Sequence, residues 1–458
     1  MKKFFIVIIA LSFLSCSFDN KTGIWNDASS VLVDMQDSKY ITNDTSNSRY
    51  EDIVTKNKIF NEEKVSIKNF TAKITKPMTI TKWVEQYAVP SNNISNFSYS
   101  GNNTLLSKSP KLVAKFLSSK NNTNKNIVFY EDNFISHDHK GEIFMYSPLL
   151  KEKVFKYNFY KKKFKNFDKE IFLIINKNIL YAADNLGYIY AINLEKKSII
   201  WAKNYGIPFR SNLKIIENQI FLANQDNVIY SIDLNTGEKK WQFATNTTFL
   251  KADFNNNFAL DLINNNLFFL NTSGELYSLN YKNQKINWVL NFKNSRLAED
   301  TELFLSQPII FKNNKLTVTT EKSVLNINTL NSSKNWQIRS EPIFKPIVTN
   351  NYTYIITRND LLISIDNESG NIIWSKNIYK QLKDKKNRRK LKIISDFKLV
   401  NSEINIFFKK GHVLAFDVNT GNLNYINKIS KNGISSVIFF LKKNMLFVDN
   451  KNKLLKFN

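Results

Sequence analysis

Apolar and polar residues alternate along most of this chain in short runs that never lengthen into a helical pattern. From Asn227 to Trp241, Val228, Tyr230 and Ile232 alternate with Ile229, Ser231 and Asp233. That two-residue period belongs to a strand, whose successive side chains point to opposite faces. Turn chemistry follows at Asp233-Leu-Asn-Thr-Gly237. Asp and Asn side chains bond nearby backbone there, and Gly accepts a positive φ. The chain returns through Glu238 to Phe243, with Trp241 predicted to face the layer between neighbouring sheets. Between residues 120 and 458 no 3.6-residue apolar pattern lasts for a helix's length, which excludes a helical solenoid.

The unit repeats in one register. Phe144, Tyr190, Tyr230, Tyr277, Leu325, Ile363 and Leu414 each stand 11 residues before Phe155, Trp201, Trp241, Trp288, Trp336, Trp374 and Tyr425. From Phe155 to Tyr425 is 270 residues in six steps, or 45 per step. Gly141, Gly187, Gly274 and Gly411, or Asn227 and Asp360, stand 14 residues before the aromatic, where a tight hairpin is expected. A 45-residue repeat of strands and turns predicts an all-β fold, an eight-bladed β-propeller of four-stranded blades. In the last copy Leu455 takes the place of Tyr230, and the matching aromatic would fall past Asn458. Residues 111–117, with Phe116 as the aromatic, are predicted to supply that strand. N- and C-terminal strands would then share a blade and close the ring, leaving no open sheet edge between blades. An irregular copy at Phe144 would reduce the count to seven.

Ahead of the repeats, Met-Lys-Lys, the apolar run from Phe4 to Leu14, and Ser15-Cys16 predict a signal peptide over residues 1–15. The run is too short for a permanent membrane span. Cys16 is the one cysteine of the chain, and Phe13-Leu14-Ser15-Cys16 resembles a lipobox, so Cys16 is the expected lipidation site and membrane attachment point. Its acylation would leave no thiol for a disulfide, a metal or catalysis. Ser17 is unlike the Asp that retains lipoproteins in the inner membrane, which favours the periplasmic face of the outer membrane. Residues 16–63 read as a polar tether, partly disordered, and residues 64–110 as a lead-in segment packing on the propeller of residues 111–458.

The formal charge is +26, or +24 without Lys2 and Lys3. The lysines are spread along the chain among abundant Asn, Ile and Phe, and the dense runs at 161–165 and 383–392 fall between repeats, as solvated loops do. An exported protein does not meet the chromosome, so no nucleic-acid partner is expected. His137-Asp-His139 has no further His or Cys nearby to complete a metal site, and His412 falls at a hairpin turn. Nucleophile-elbow, phosphate-loop and dinucleotide patterns are absent from the sequence. No catalytic residue, metal or cofactor is expected.

The repeat Asp-x-x-(Thr)-Gly-x-x-x-Trp, best seen from Asp233 to Trp241 and from Asp366 to Trp374, resembles the tryptophan-docking repeat of the PQQ-dependent alcohol dehydrogenases. That resemblance implies a quinoprotein enzyme, but those enzymes carry a vicinal cysteine pair that this chain lacks. Trp83, Asn93-Ile-Ser-Asn-Phe97, Gly101-Asn and the ending from Leu446 to Asn458 resemble the BamB family of outer-membrane protein assembly factors. This second resemblance implies a non-catalytic scaffold of the barrel-assembly machinery. It would dock on a POTRA domain of the barrel-inserting protein and assist unfolded outer-membrane protein clients. The family's two contact loops map onto Thr248-Phe-Leu-Lys251, giving Leu250 and Lys251, and onto the segment before Pro308. There Leu303 and Leu305 hold the offsets of the family's acidic pair, and Glu299, Asp300 and Glu302 lie upstream. Trp201, Trp241, Trp288, Trp336, Trp374 and Tyr425 are structural repeat positions. The alternatives are a PQQ-type enzyme and a propeller binding cell-envelope components.

Overall fold

The computed structural model describes residues 16–18, 25–27, 59–116, 125–160, 164, 166–247, 256–292, 304–382 and 391–458. Residues 1–46 and 47–458 form two compact units. In the first, strands Cys16–Phe18 and Trp25–Asp27 pair antiparallel, with Cys16 opposite Asp27. The predicted signal peptide lies outside the described residues.

The second unit is an eight-bladed β-propeller, each blade a four-stranded antiparallel sheet. Blades 1 to 7 span residues 128–158, 171–204, 214–244, 257–291, 310–339, 347–377 and 394–428, with strands in chain order across each sheet. First strands of neighbouring blades touch one another, so the chain enters each blade at the ring's centre and leaves at its rim. Burial follows that path. In blade 3, Gln219–Ala223 is almost wholly buried, while the rim strand Lys239–Ala244 alternates between exposed and half-buried.

Blade 8 closes the ring. Phe439–Leu441, Asn444–Val448 and Leu454–Phe457 are joined at the rim by Leu105–Lys108, with Leu105 opposite Phe457 and Lys108 opposite Leu455. The N-terminal contribution is therefore Leu105–Lys108 and not residues 111–117. Pro110 has no N–H for a ladder, and the chain beyond it wraps the last hairpin. Leu112 N–H donates to Asn452 O at 2.8 Å, and Asn452 Nδ2 donates to Val113 O at 3.2 Å. Phe116 enters the core against Phe144, ring centroids 6.2 Å apart.

Between blades the repeated tryptophan is a clasp. Except at Trp336, where Leu316 stands, its ring packs on an aromatic 20 residues earlier in its own blade, as in Trp201–Tyr181, Trp288–Phe268 and Trp374–Tyr354, at 6.0, 6.0 and 6.1 Å. Its indole N–H crosses to the rim turn of the next blade. Trp201 donates to Leu234 O, Trp288 to Thr329 O, Trp336 to Asn367 O and Trp374 to Val418 O, all at 2.9–3.0 Å. The turn is shaped by its first residue: Asp417 Oδ1 accepts from Asn419 and Thr420 N–H, which leaves Gly421 at φ 68° beneath the indole. A Cβ on Gly421 would lie 2.5 Å from the Trp374 ring, and one on Gly237 2.5 Å from Trp201, so the docked ring needs glycine there. In blades 1 to 7 a β-bulge in the rim strand, one residue before the repeated aromatic, supports this presentation (for example between Ser364 and Ile365 of the partner strand).

Candidate functional site

The lead-in segment fills one mouth of the ring. Between Ile80 and Phe97 it bonds to every blade at or beside the innermost strand, toward that strand's C-terminal end in most of them. Phe129 N–H donates to Trp83 O, Ile175 N–H to Val84 O, Leu260 N–H to Pro90 O and Phe311 N–H to Ser91 O, at 2.7–3.1 Å. Lys442 N–H donates to Ile80 O at 2.7 Å and Phe97 N–H to Leu399 O at 2.9 Å. Blades 3 and 6 contribute side chains instead: Lys214 reaches Glu85, and Lys345 Nζ donates to Asn92 O at 2.9 Å.

The centre of this plug is polar and buried. Lys214 Nζ binds the Glu85 carboxylate, Asn92 Oδ1 at 2.8 Å and Val89 O at 3.3 Å. Asn92, at φ 60°, turns its amide N–H groups to Phe258 O at 2.7 Å and Ile309 O at 2.9 Å. Burial depresses the Lys214 ammonium, and Glu85 opposes that shift. Burial, reinforced by Lys398, pushes Lys345 down to about 7. Trp83 anchors the start of the plug, stacked on Phe97 at 6.1 Å and edge-on to Phe439 at 4.9 Å. The sequence marked Trp83 and Asn93–Phe97 but not Glu85, Asn92 or Lys214. One signal was available: a lysine opening the otherwise apolar innermost run Lys214-Ile-Ile.

The two predicted contact loops join the rim of blade 3 to the centre of blade 4, and the rim of blade 4 to the centre of blade 5. They leave from neighbouring blades on the same face. Leu250, Lys251, Glu299, Asp300, Glu302 and Leu303 lie outside the described residues. Their footings do not. Asn246 O accepts from Asn227 Nδ2 at 2.7 Å and Ser273 Oγ at 3.0 Å, and Asn246 Nδ2 donates to Glu275 Oε1 at 2.6 Å. Glu275 also accepts from Tyr277 Oη at 2.7 Å and Asn271 Nδ2 at 3.0 Å. The second loop returns through Phe304, which packs over Gly274. The first loop thus leaves from an exposed Asn246 bonded to buried Asn227, Ser273 and Glu275, and the second returns through the buried Phe304.

The histidine pair is divided by the fold. His137 is buried, and its Nε2 accepts the Ile171 N–H of blade 2 at 3.3 Å while Nδ1 sits 2.9 Å from Asp138 O. An acceptor at Nε2 fixes the proton on Nδ1, the neutral tautomer that burial also favours. His139 Nδ1 faces Lys115 O at 3.1 Å. Among the described residues no group of three His, Cys, Asp or Glu side chains has the arrangement of a metal site. Another buried acid, Asp184, accepts the Tyr160 hydroxyl and the N–H groups of Leu186 and Tyr188, and burial raises its pKa. These bonds make it a turn-forming residue of blade 2.

A sequence profile of the family described as "Outer membrane protein assembly factor BamB" matches residues 164–376. A BamB of that description from Legionella pneumophila is 28% identical over 69 residues, a stretch covering 15% of this chain and 17% of the relative. Among solved structures, BamB from Moraxella catarrhalis superposes with TM-score 0.59 at 11% identity, covering 78% of this chain and 99% of that one. Quinohemoprotein alcohol dehydrogenase from Comamonas testosteroni also reaches TM-score 0.59, at 8% identity, covering 82% of this chain and 80% of that one. At such identities the superpositions establish the propeller alone.

Proposed function

We propose, from the premise that this chain is a BamB-like propeller, that it is a non-catalytic scaffold of outer-membrane protein assembly in the cell envelope. It is anchored by lipid on Cys16 at the periplasmic face of the outer membrane. It docks on a POTRA domain of the barrel-inserting protein through the loops that carry Leu250 and Lys251, and Glu299, Asp300 and Glu302, and it assists unfolded barrel clients. The observation that carries this reading is the plug: one mouth of the ring is occupied by the chain itself, bonded to all eight blades. That placement leaves loops and rim edges as the surfaces offered to partners. The hydrogen-bonded footing of the first loop and the packed Phe304 of the second support the docking assignment, since a few apolar anchors carry most of an interface's energy.

Purification of the tagged, lipidated protein from its native envelope in mild detergent tests the reading. The barrel-inserting protein should be recovered with it, and Leu250→Asp should reduce that recovery by at least about tenfold while the ring stays folded. Absence of the barrel-inserting protein with intact bait would overturn the scaffold role. Unchanged recovery with Leu250→Asp would overturn the loop assignment. The fold shared with the alcohol dehydrogenases carries the rival reading, a quinoprotein enzyme. Saturable absorbance changes on adding PQQ and calcium to the purified protein would favour that rival.

A further inference from the structure

One clasp in the ring is unmade. Trp241 sits as the others do, its ring 5.7 Å from Phe221, 20 residues earlier in blade 3. The rim turn it faces, Asn280 to Gln284 of blade 4, has Gln284 at φ 61° where blades 3, 6 and 7 have glycine. Blade 5 shows what that position tolerates: Ser332 stands there at φ 58°, and Trp288 still docks at 2.9 Å. At Gln284 the turn still seats Tyr281 on Phe221 of blade 3, ring centroids 6.2 Å apart, but the indole bond is missing. Trp241 donates to no described residue, and Tyr281 O, the counterpart of Leu234 O and Val418 O, is left without its indole. A cleft of about 230 Å³ opens between Trp241, Tyr281 and Gln284, flanked by Glu217, Lys240 and Lys282. Its charges are matched internally, with Lys240 Nζ 3.2 Å from Asp233 and Lys282 Nζ 3.8 Å from Glu217. The cleft therefore selects for a hydrogen-bond acceptor rather than for net charge.

The chain also shows what its rim accepts. Residues 60–64 straddle the junction of blades 5 and 6 as an extended segment. Phe60 N–H donates to Arg339 O at 2.8 Å on one rim strand, and Lys64 and Ser375 exchange both backbone bonds, at 3.0 and 2.9 Å, on the next. Ser375 follows the clasp residue Trp374. The residue in that place on blade 4 is Val289, 37% exposed, with no described strand on its outer edge.

We infer that the junction of blades 3 and 4 is a binding site for an extended polypeptide. One main-chain carbonyl of the peptide accepts the Trp241 indole N–H, supplying what the Asn280–Gln284 turn withholds. The peptide's backbone pairs with the rim of blade 4 at Val289 as Lys64 pairs with Ser375. The site rests on the scaffold reading only for the origin of the peptide, an unfolded barrel client. It lies at the rim-turn side of the ring, where Glu217 and Gln284 belong to turns, and apart from the two docking loops.

The test is fluorescence anisotropy of a labelled ten-residue peptide of alternating apolar and polar residues, titrated with the full-length protein. Trp241→Phe keeps the ring and removes the donor, and Gln284→Gly lets the turn close onto Trp241. Each should weaken binding at least about fivefold, the worth of one hydrogen bond. Equal affinity in either folded variant, or no binding by the unaltered protein at millimolar concentration, would overturn the proposal. So would a peptide-displaceable dimer in sedimentation, which would assign the cleft to a second copy. Recovery of the barrel-inserting protein with Gln284→Gly separates the two readings: retained recovery with lost peptide binding leaves both standing, and lost recovery with unchanged peptide binding overturns the site alone.

Discussion

The junction of blades 6 and 7 and that of blades 3 and 4 are built from the same parts and end in different states. In the first, Trp374 is fully buried, lies on Gly421 and donates to Val418 O at 3.0 Å. In the second, Trp241 holds the same place in its own blade and has no described carbonyl, and Gln284 occupies the glycine position. At this junction the tryptophan is in place, and the receiving turn is what differs. A ring with all five tryptophan clasps closed would be a passive scaffold. One open clasp converts a structural repeat into a site without changing the fold.

The largest expected difference between the junctions is energetic. Trp374→Ala should cost about 3–5 kcal/mol, the usual loss for a buried aromatic, whereas Trp241→Ala should cost about 1–2 kcal/mol because part of its surface is already wet. Urea unfolding of the two variants measures the gap, and equal losses would show that the open junction is as tightly packed as the sealed one. Next comes the reverse exchange. Gly421→Gln places a Cβ at φ 68° against the Trp374 ring and should cost about 2–3 kcal/mol through overpacking and backbone strain. A smaller loss would mean that the turn retreats freely and that glycine is a convenience there.

A third kind of junction tests whether a clasp can be switched. Blades 1 and 2 have Phe155 in place of tryptophan, and His137 Nε2 takes the Ile171 N–H across the gap. Burial lowers the folded-state pKa of His137 below its ordinary value near 6.5. The unfolded chain therefore binds the proton first as pH falls. Stability from this group is intact above about pH 6.5 and is lost below it, by up to about 1.4 kcal/mol per pH unit until the folded pKa is reached. His137→Gln should flatten that slope in unfolding midpoints measured from pH 7.5 to 5. An unaltered slope would assign the acid sensitivity to other groups.

Most of the ring was legible in the sequence, because hairpins of fixed length fix the register of every residue they contain. The 11-residue spacing from Tyr230 to Trp241 is a local property, and so is the turn from Asp233 to Gly237. The closing strand was not legible. Leu105–Lys108 is largely exposed at the rim and needs little apolar contrast, while the buried Leu112, Val113 and Phe116 imitate a strand in wrapping the last hairpin. The plug was harder still. Glu85 and Lys214 are 129 residues apart and Asn92 and Ile309 are 217 apart, so no local pattern joins them. The docking residues were reached by resemblance alone, since loops between blades vary in length and carry no period. The open clasp was not legible: Gln284 departs from Gly237, Gly370 and Gly421, but so does Ser332, whose turn still receives Trp288.

The smallest predicted effect bears most directly on that departure. Gln284→Gly relieves a side chain held at φ 61° and allows Tyr281 O to receive the Trp241 indole N–H. The hydrogen bond is worth about 1 kcal/mol and the relief of strain about as much. Glycine's greater freedom in the unfolded chain offsets about half of that sum, leaving a net gain of about 0.5–1 kcal/mol. A rise of this size in the urea midpoint, with less quenching of tryptophan fluorescence by acrylamide, would mean that the wild-type chain forgoes stability to keep the cleft open. A fall would mean that Gln284 makes contacts worth more than the clasp, and the junction would then be one more variant of the scaffold.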